Sequence, residues 1–219
     1  MALSFPSAST ISASTTVTMP AHQVGDLLVI WAMAFTSAPT VPTAGGTVPT
    51  WTTIDAPAAI GTIYGVAVYA VATATNHTSG TFTNASRMVA CVIRGQATIP
   101  IGGHAAGTFG QTVAGPATGQ AIAPGITMSR TDGTSFLLYF YALRFAATLN
   151  AAPSGFTRQQ GVTAGASTGI VFNTKDVTTS DGASSQDVVG QGTSQVSYIG
   201  QTTEILATIN NSGRFFDMF

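Results

Sequence analysis

Eight carboxylates, three histidines and one cysteine are the side chains of this 219-residue chain with the greatest capacity for acid–base, metal or thiol chemistry. Asp26 and Asp132 each sit beside a glycine, where a short carboxylate serves turn geometry and needs no catalytic role. Asp176, Asp181 and Asp187 lie in a loop rich in Ser, Thr and Gly. Clustered oxygens suit calcium, but the spacing matches no EF-hand, so a solvated loop is the plainer expectation. His22, His77 and His104 are far apart in sequence and lack the paired spacing of a zinc enzyme, which predicts surface or structural roles. Cys91 stands in the apolar run 88–93 and reads as a small buried hydrophobe, with no partner for a disulfide.

Two motifs imitate chemistry without its context. Gly165-Ala166-Ser167-Thr168-Gly169 has the letters of a nucleophile elbow, but that elbow needs a strand before it and a helix after it. Here a strand follows, at Ile170. The glycines of 102–107 fall in no strand–turn–helix setting that would cradle a phosphate, and they read as a flexible connection. Trp31, Trp51, Tyr64, Tyr69, Phe156 and Tyr198 could stack on sugar faces, yet most occupy core-like strand positions. The sequence therefore predicts no catalytic residue, no cofactor and no metal: a protein that is not an enzyme.

Composition excludes other classes. Charged residues make up 7 % of the chain and the net charge is −1. Lys175 is its single lysine, so no basic stripe exists to neutralise phosphates or anionic lipid. Nucleic-acid and membrane partners are not expected. At 45 % hydrophobic residues the chain has ample material for a core. The N-terminus has neither the basic nor the apolar region of a secretory signal, and the longest apolar run, 27–35, is half a membrane span. These features predict synthesis in the cytoplasm.

The elements that would position these residues are strands. Segments 15–19, 27–35, 64–73, 88–94, 126–129, 135–143, 170–173 and 204–209 are apolar or β-branched, and most are bounded by Gly, Pro, Asn or Asp. Convincing helical spacing with caps is missing. An internal repeat is the strongest signal. Val17-Thr18-Met19, then Gly25-Asp26, then 27–34 is echoed by Ile126-Thr127-Met128, then Asp132-Gly133, then 135–143. A proline-bearing loop and an aromatic–threonine pair follow in each copy, Trp51-Thr52 and Phe156-Thr157. The expectation is an all-β fold: a jelly-roll-like two-sheet sandwich with pseudo-repeated halves, one domain over 1–209, repeats about 15–95 and 124–209, and a crossover loop over 96–123.

Two features predict adhesion. Strands 27–35 and 136–143 are apolar at nearly every position, so both faces must be covered, by a neighbouring subunit or by the chain's own loops. Residues 210–219 end in Arg214-Phe215-Phe216-Asp217-Met218-Phe219, past the polar turn Asn210-Asn211-Ser212-Gly213. Phe215, Phe216, Met218 and Phe219 are the candidate partner-docking residues.

The run Val24-Gly25-Asp26-Leu27-Leu28-Val29, with Trp51-Thr52-Thr53-Ile54 and 66–73, resembles β-sandwich proteins common in tailed-phage genomes, prophages and some bacterial surface proteins. The resemblance continues through Gly80-Thr81-Phe82, Ile93-Arg94-Gly95, Pro100-Ile101 and the stretch from Asp132-Gly133 to Phe156-Thr157. It departs at Ala70-Val71, where a more polar pair often sits, and in the apolar terminal segment. The resemblance implies a virion protein of minor tail or capsid decoration type, without a catalytic site. Its partners would be other virion proteins and its own copies, a trimer among the options. A receptor- or glycan-binding adhesin module is the alternative.

Overall fold

The computed structural model describes residues 3–109, 120–144, 151–152, 154–164, 168–181, 184–185, 188–190 and 197–209. Among them the chain is all β, apart from a single 3-10 turn at Thr179–Asp181. The strands are β1 (Ser4–Ala8), β2 (Leu27–Ala34), β3 (Thr52–Thr53), β4 (Ala58–Ile60), β5 (Ile63–Val71), β6 (Arg87–Arg94), β7 (Gln96–Phe109), β8 (Gln120–Ile122), β9 (Ile126–Thr127), β10 (Ser135–Arg144), β11 (Thr157–Ala164), β12 (Thr168–Asp176), β13 (Ser184–Ser185), β14 (Val188–Gly190) and β15 (Ser197–Ala207).

The two-sheet sandwich that the sequence predicts is present. One sheet runs β1-β6-β2-β5-β3, with β4 also on β5, and the other runs β11-β12-β10-β15-β7. All of their pairings are antiparallel. Read from its far edge, the second sheet is β7-β15-β10-β12-β11. Each half of the chain therefore builds its own sheet in one strand order: the first strand at an edge, the second at the centre, the third at the far edge. Strands are not interleaved between the sheets as in a jelly roll.

This order moves the repeat boundaries. The stretch 96–109, expected as the start of a crossover loop, is the longest strand, β7. It corresponds to β1, so the second repeat begins there. Its Gly and Ala content hid it, because small residues give no apolar alternation. The segment 15–19, expected as a strand, is not one, and 126–129 contributes only the two residues of β9.

The unbroken apolar runs follow from burial on both faces. Along β2, Leu27, Val29, Trp31 and Met33 face the second sheet, where they meet Leu138, Phe140, Phe172, Ile199 and Ile205. Trp31 stacks on Phe140 with centroids 5.8 Å apart. The alternate residues Leu28, Ile30 and Ala32 point outward, yet they too are buried, under Val17, Trp51 and Phe82 from the loops. The second sheet repeats this: Leu137, Tyr139, Tyr141 and Leu143 lie beneath Ile126, Met128, Val177 and Phe156. The repeated triplets Val17-Thr18-Met19 and Ile126-Thr127-Met128, and the aromatics Trp51 and Phe156, are thus equivalent lids on their own sheets. The chain's own loops supply the cover, so these strand faces are closed to a neighbour.

Candidate functional site

Among the described residues, side chains able to do chemistry fall in separate knots, each held by structural contacts. At the start of β2, Gly25 turns the chain with φ of +92° and Asp26 follows, 2 % exposed. Arg94, at the end of β6, donates to both its oxygens at 2.7 Å, and the backbone N–H of Gln23 donates to Oδ2. The Arg94 hydrogen bonds hold the Asp26 carboxyl below its usual range against the opposing effect of burial.

Glu204 on β15 is fully buried, and no local sequence signal marks it. Its Oε2 accepts from the backbone N–H of Gly103 (2.9 Å) and Ser129 (2.7 Å), and Oε1 from that of Arg130 (3.2 Å). Space for it exists because residues 102 and 103 are glycines: a Cβ on Gly102 would stand 2.4 Å from Glu204 Oε2, and one on Gly103 2.0 Å from the Thr127 carbonyl oxygen. The glycines expected to loosen a loop instead admit a carboxylate that ties β7 and the lid after β9 to β15.

Of the surface or structural roles expected for the histidines, His22 and His77 have the structural one, and they share it. His22 and His77 are both buried and stack with centroids 5.8 Å apart and planes 7° from parallel. The His77 backbone N–H donates to His22 Nε2, while Thr73 and Ala74 N–H groups donate to His77 Nε2. Each Nδ1 faces a carbonyl, of Pro20 and Thr47 respectively. The pair pins the loops that cover the first sheet. Spacing could not reveal it, since the partners are 55 residues apart.

His104 lies on β7 and donates from Nδ1 to Asp55 Oδ1 at 2.9 Å. Asp55 Oδ2 accepts from buried Gln201 Nε2 at 2.7 Å. This is the orientation of a general base, but no hydroxyl nucleophile stands at its free nitrogen among the described contacts. It joins the two sheets along the side where β4 and β5 meet β7 and β15.

Of the three calcium candidates, Asp181 is held in ordinary contacts. Asp181 Oδ1 pairs with Lys175 at 2.7 Å, and Oδ2 accepts from the Thr178 N–H and hydroxyl. Burial raises the Asp181 pKa, but Lys175 and Thr178 outweigh it and hold the carboxyl below its usual range. Asp187 lies outside the described residues. Among the described residues no group of three or more His, Cys, Asp or Glu is placed to hold a metal ion. Trp31, Trp51 and Tyr198 are buried, and Phe156 packs edge-on against Tyr139 under the Lys175 ammonium, so these rings form no open shelf for a sugar. The 165–169 motif connects β11 to β12 with no helix after it.

What remains open is a cleft on the opposite side, where β1 faces β10 and β12. Phe5 of β1 reaches across to stack on Phe136 at 5.9 Å and to pack tilted against Phe172 at 5.8 Å. On either side of that bridge the sheets leave hollows of about 390 and 430 Å³, which share Leu3, Phe136 and Asp176. The larger is lined also by Val177, Ala207 and Ile209, with Asp132 at its rim. Asp132 is exposed, and the hydroxyl and N–H of Thr134 hold its carboxyl below the usual range. Ile209 is 59 % exposed and is the last described residue. The docking residues Phe215, Phe216, Met218 and Phe219 lie outside the described residues. No helix among the described residues is long and apolar enough to cross a membrane. No protein-family model matches the chain, and no curated protein and no solved structure is significantly similar to it.

Proposed function

We propose that the chain is a non-enzymatic structural protein of a tailed-phage particle, carried on the head or tail as a minor tail or decoration protein. Neighbouring virion proteins and further copies of the chain are its partners. The resemblance of the Val24–Val29, Trp51–Ile54 and Asp132–Phe156 motifs supports this identity. The observation that carries the mode of assembly is the sealing of both outer sheet faces by the chain's own lids. Adhesion through strand faces is thereby closed off, and attachment falls to the apolar segment 214–219.

Three phenylalanines and a methionine in six residues can supply the buried centre of a small interface. Edge strands add a second mode, since β11 pairs on one side only among the described residues, and sheet edges accept further strands. The test deletes residues 214–219 and measures incorporation into particles. The variant keeps its urea midpoint and is lost from particles; full incorporation of the truncated chain overturns attachment through this segment.

A further inference from the structure

We infer that the stacked pair His22 and His77 is an acid-sensitive lock on the lid of the first sheet: a proton on either ring opens the lid and uncovers the apolar face beneath it. The hydrogen bonds fix the state of both rings. A carbonyl oxygen only accepts, so the Nδ1 of His22, 2.8 Å from the Pro20 carbonyl, and that of His77, 3.0 Å from the Thr47 carbonyl, both carry hydrogen. A backbone N–H only donates. His22 Nε2 receives the His77 N–H at 3.1 Å, and His77 Nε2 receives those of Thr73 and Ala74 at 3.1 and 3.2 Å, so both Nε2 atoms present a lone pair. Each imidazole is therefore neutral, with its hydrogen on Nδ1. Protonation at Nε2 sets N–H against N–H in rings that are each 8 % exposed, and two imidazolium rings 5.8 Å apart also repel. The Thr73 hydroxyl, 3.1 Å from His77 Nε2, can reverse to accept, but the two backbone N–H groups beside it cannot.

The covering loops meet at this pair. His22 belongs to 15–24, Thr47 to 36–50 and His77 to 72–86, and the Thr47 carbonyl also accepts the Thr78 N–H. None of these three loops contains Asp, Glu, Lys or Arg, so they offer no counter-charge to an imidazolium. Asp26 is the carboxylate whose charge reaches His22, and its oxygens are already taken by Arg94 and the Gln23 N–H. Beneath the lid lie Leu28, Ile30, Val68 and Val92, covered by Val17, Trp51 and Phe82. The closed lid holds both rings neutral, whereas a released imidazole takes up a proton near pH 6.5. The stability that the pair contributes is thus complete above that value and declines below it.

This lock is independent of how the chain assembles, and the free protein tests it. Long-range proton–nitrogen NMR of the imidazoles at pH 7.5 is expected to show hydrogen on Nδ1 of both rings; hydrogen on Nε2 of either overturns the lock. Amide protection factors, which remove the intrinsic pH dependence of exchange, are then compared at pH 7.5 and 5.5. Each ring that takes up a proton on release contributes about tenfold over this interval, so the expected fall across 15–24 and 72–86 is about a hundredfold. Those amides stay less protected than β2 and β6 at both pH values. A fall of less than about tenfold overturns the lock, and so does equal protection of lid and strands at pH 5.5. Ring signals that move to the imidazolium position while the lid amides keep their protection overturn it as well.

Discussion

Asp26 shows how a residue read as turn geometry becomes a latch once its partner is placed. Its folded pKa is depressed, so the stability it contributes is present above the ordinary carboxylate value of about 3.9 and is lost as pH falls through the lower folded value. Asp26→Asn is expected to cost about 2 kcal/mol at neutral pH and to flatten the decline of the urea midpoint on acidification. An unchanged acid slope contradicts the latch. Glu204 makes a sharper case. Both its oxygens accept backbone N–H groups, so either orientation of a glutamine amide sets an NH2 against a donor. Glu204→Gln is expected to lose about 2–3 kcal/mol in chemical denaturation despite its near-identical shape. The sequence exposed Asp26 through its Gly25 neighbour and the repeat, but nothing local marks Glu204 or the stacked histidines. Their partners lie 55 to more than 100 residues away, and only the strand order brings them together.

At the scale of elements, the long apolar strands were legible and the reason for their uniformity was not. Leu27–Ala34 and Ser135–Arg144 emerge close to the boundaries read from hydropathy. Their outward residues are covered by lids whose sequences look like strands, since a lid also alternates rings and β-branched residues. The Ser79 backbone and side chain hold the first lid: its hydroxyl accepts from the Val17 N–H at 3.1 Å, and its carbonyl accepts from Trp51 Nε1 at 3.1 Å. Ser79→Ala leaves the buried Val17 N–H without its acceptor, at a cost of about 1–2 kcal/mol. Faster amide exchange is expected across 15–24 and 72–86 while β2 and β6 stay protected, and hydrogen exchange read residue by residue checks it. Uniform acceleration through the strands would show that the lid is not a separable layer. β7 was illegible for the opposite reason, because its glycines are required by Glu204 and its alanines carry no periodic signal.

The whole molecule is two copies of one five-strand pattern packed through Trp31, Phe140 and Phe172. One side is fastened by Asp55, His104 and Gln201, and the other is bridged by Phe5 over an open cleft. The sequence disclosed the repeat through Trp51-Thr52 and Phe156-Thr157 and offered two sources of adhesion, the apolar strand faces and the terminal segment; the chain's own loops cover the faces. On the proposed function, assembly depends on the terminal rings and on sheet edges. Imaging intact tailed-phage particles that carry this chain at side-chain detail tests that claim most directly. The account predicts sandwich density at regularly repeated surface positions, with Phe215, Phe216, Met218 and Phe219 buried against a neighbouring protein. Particles that lack the sandwich, or that hold it through the lids of Trp51 and Phe156 with the terminal rings in solvent, would contradict it.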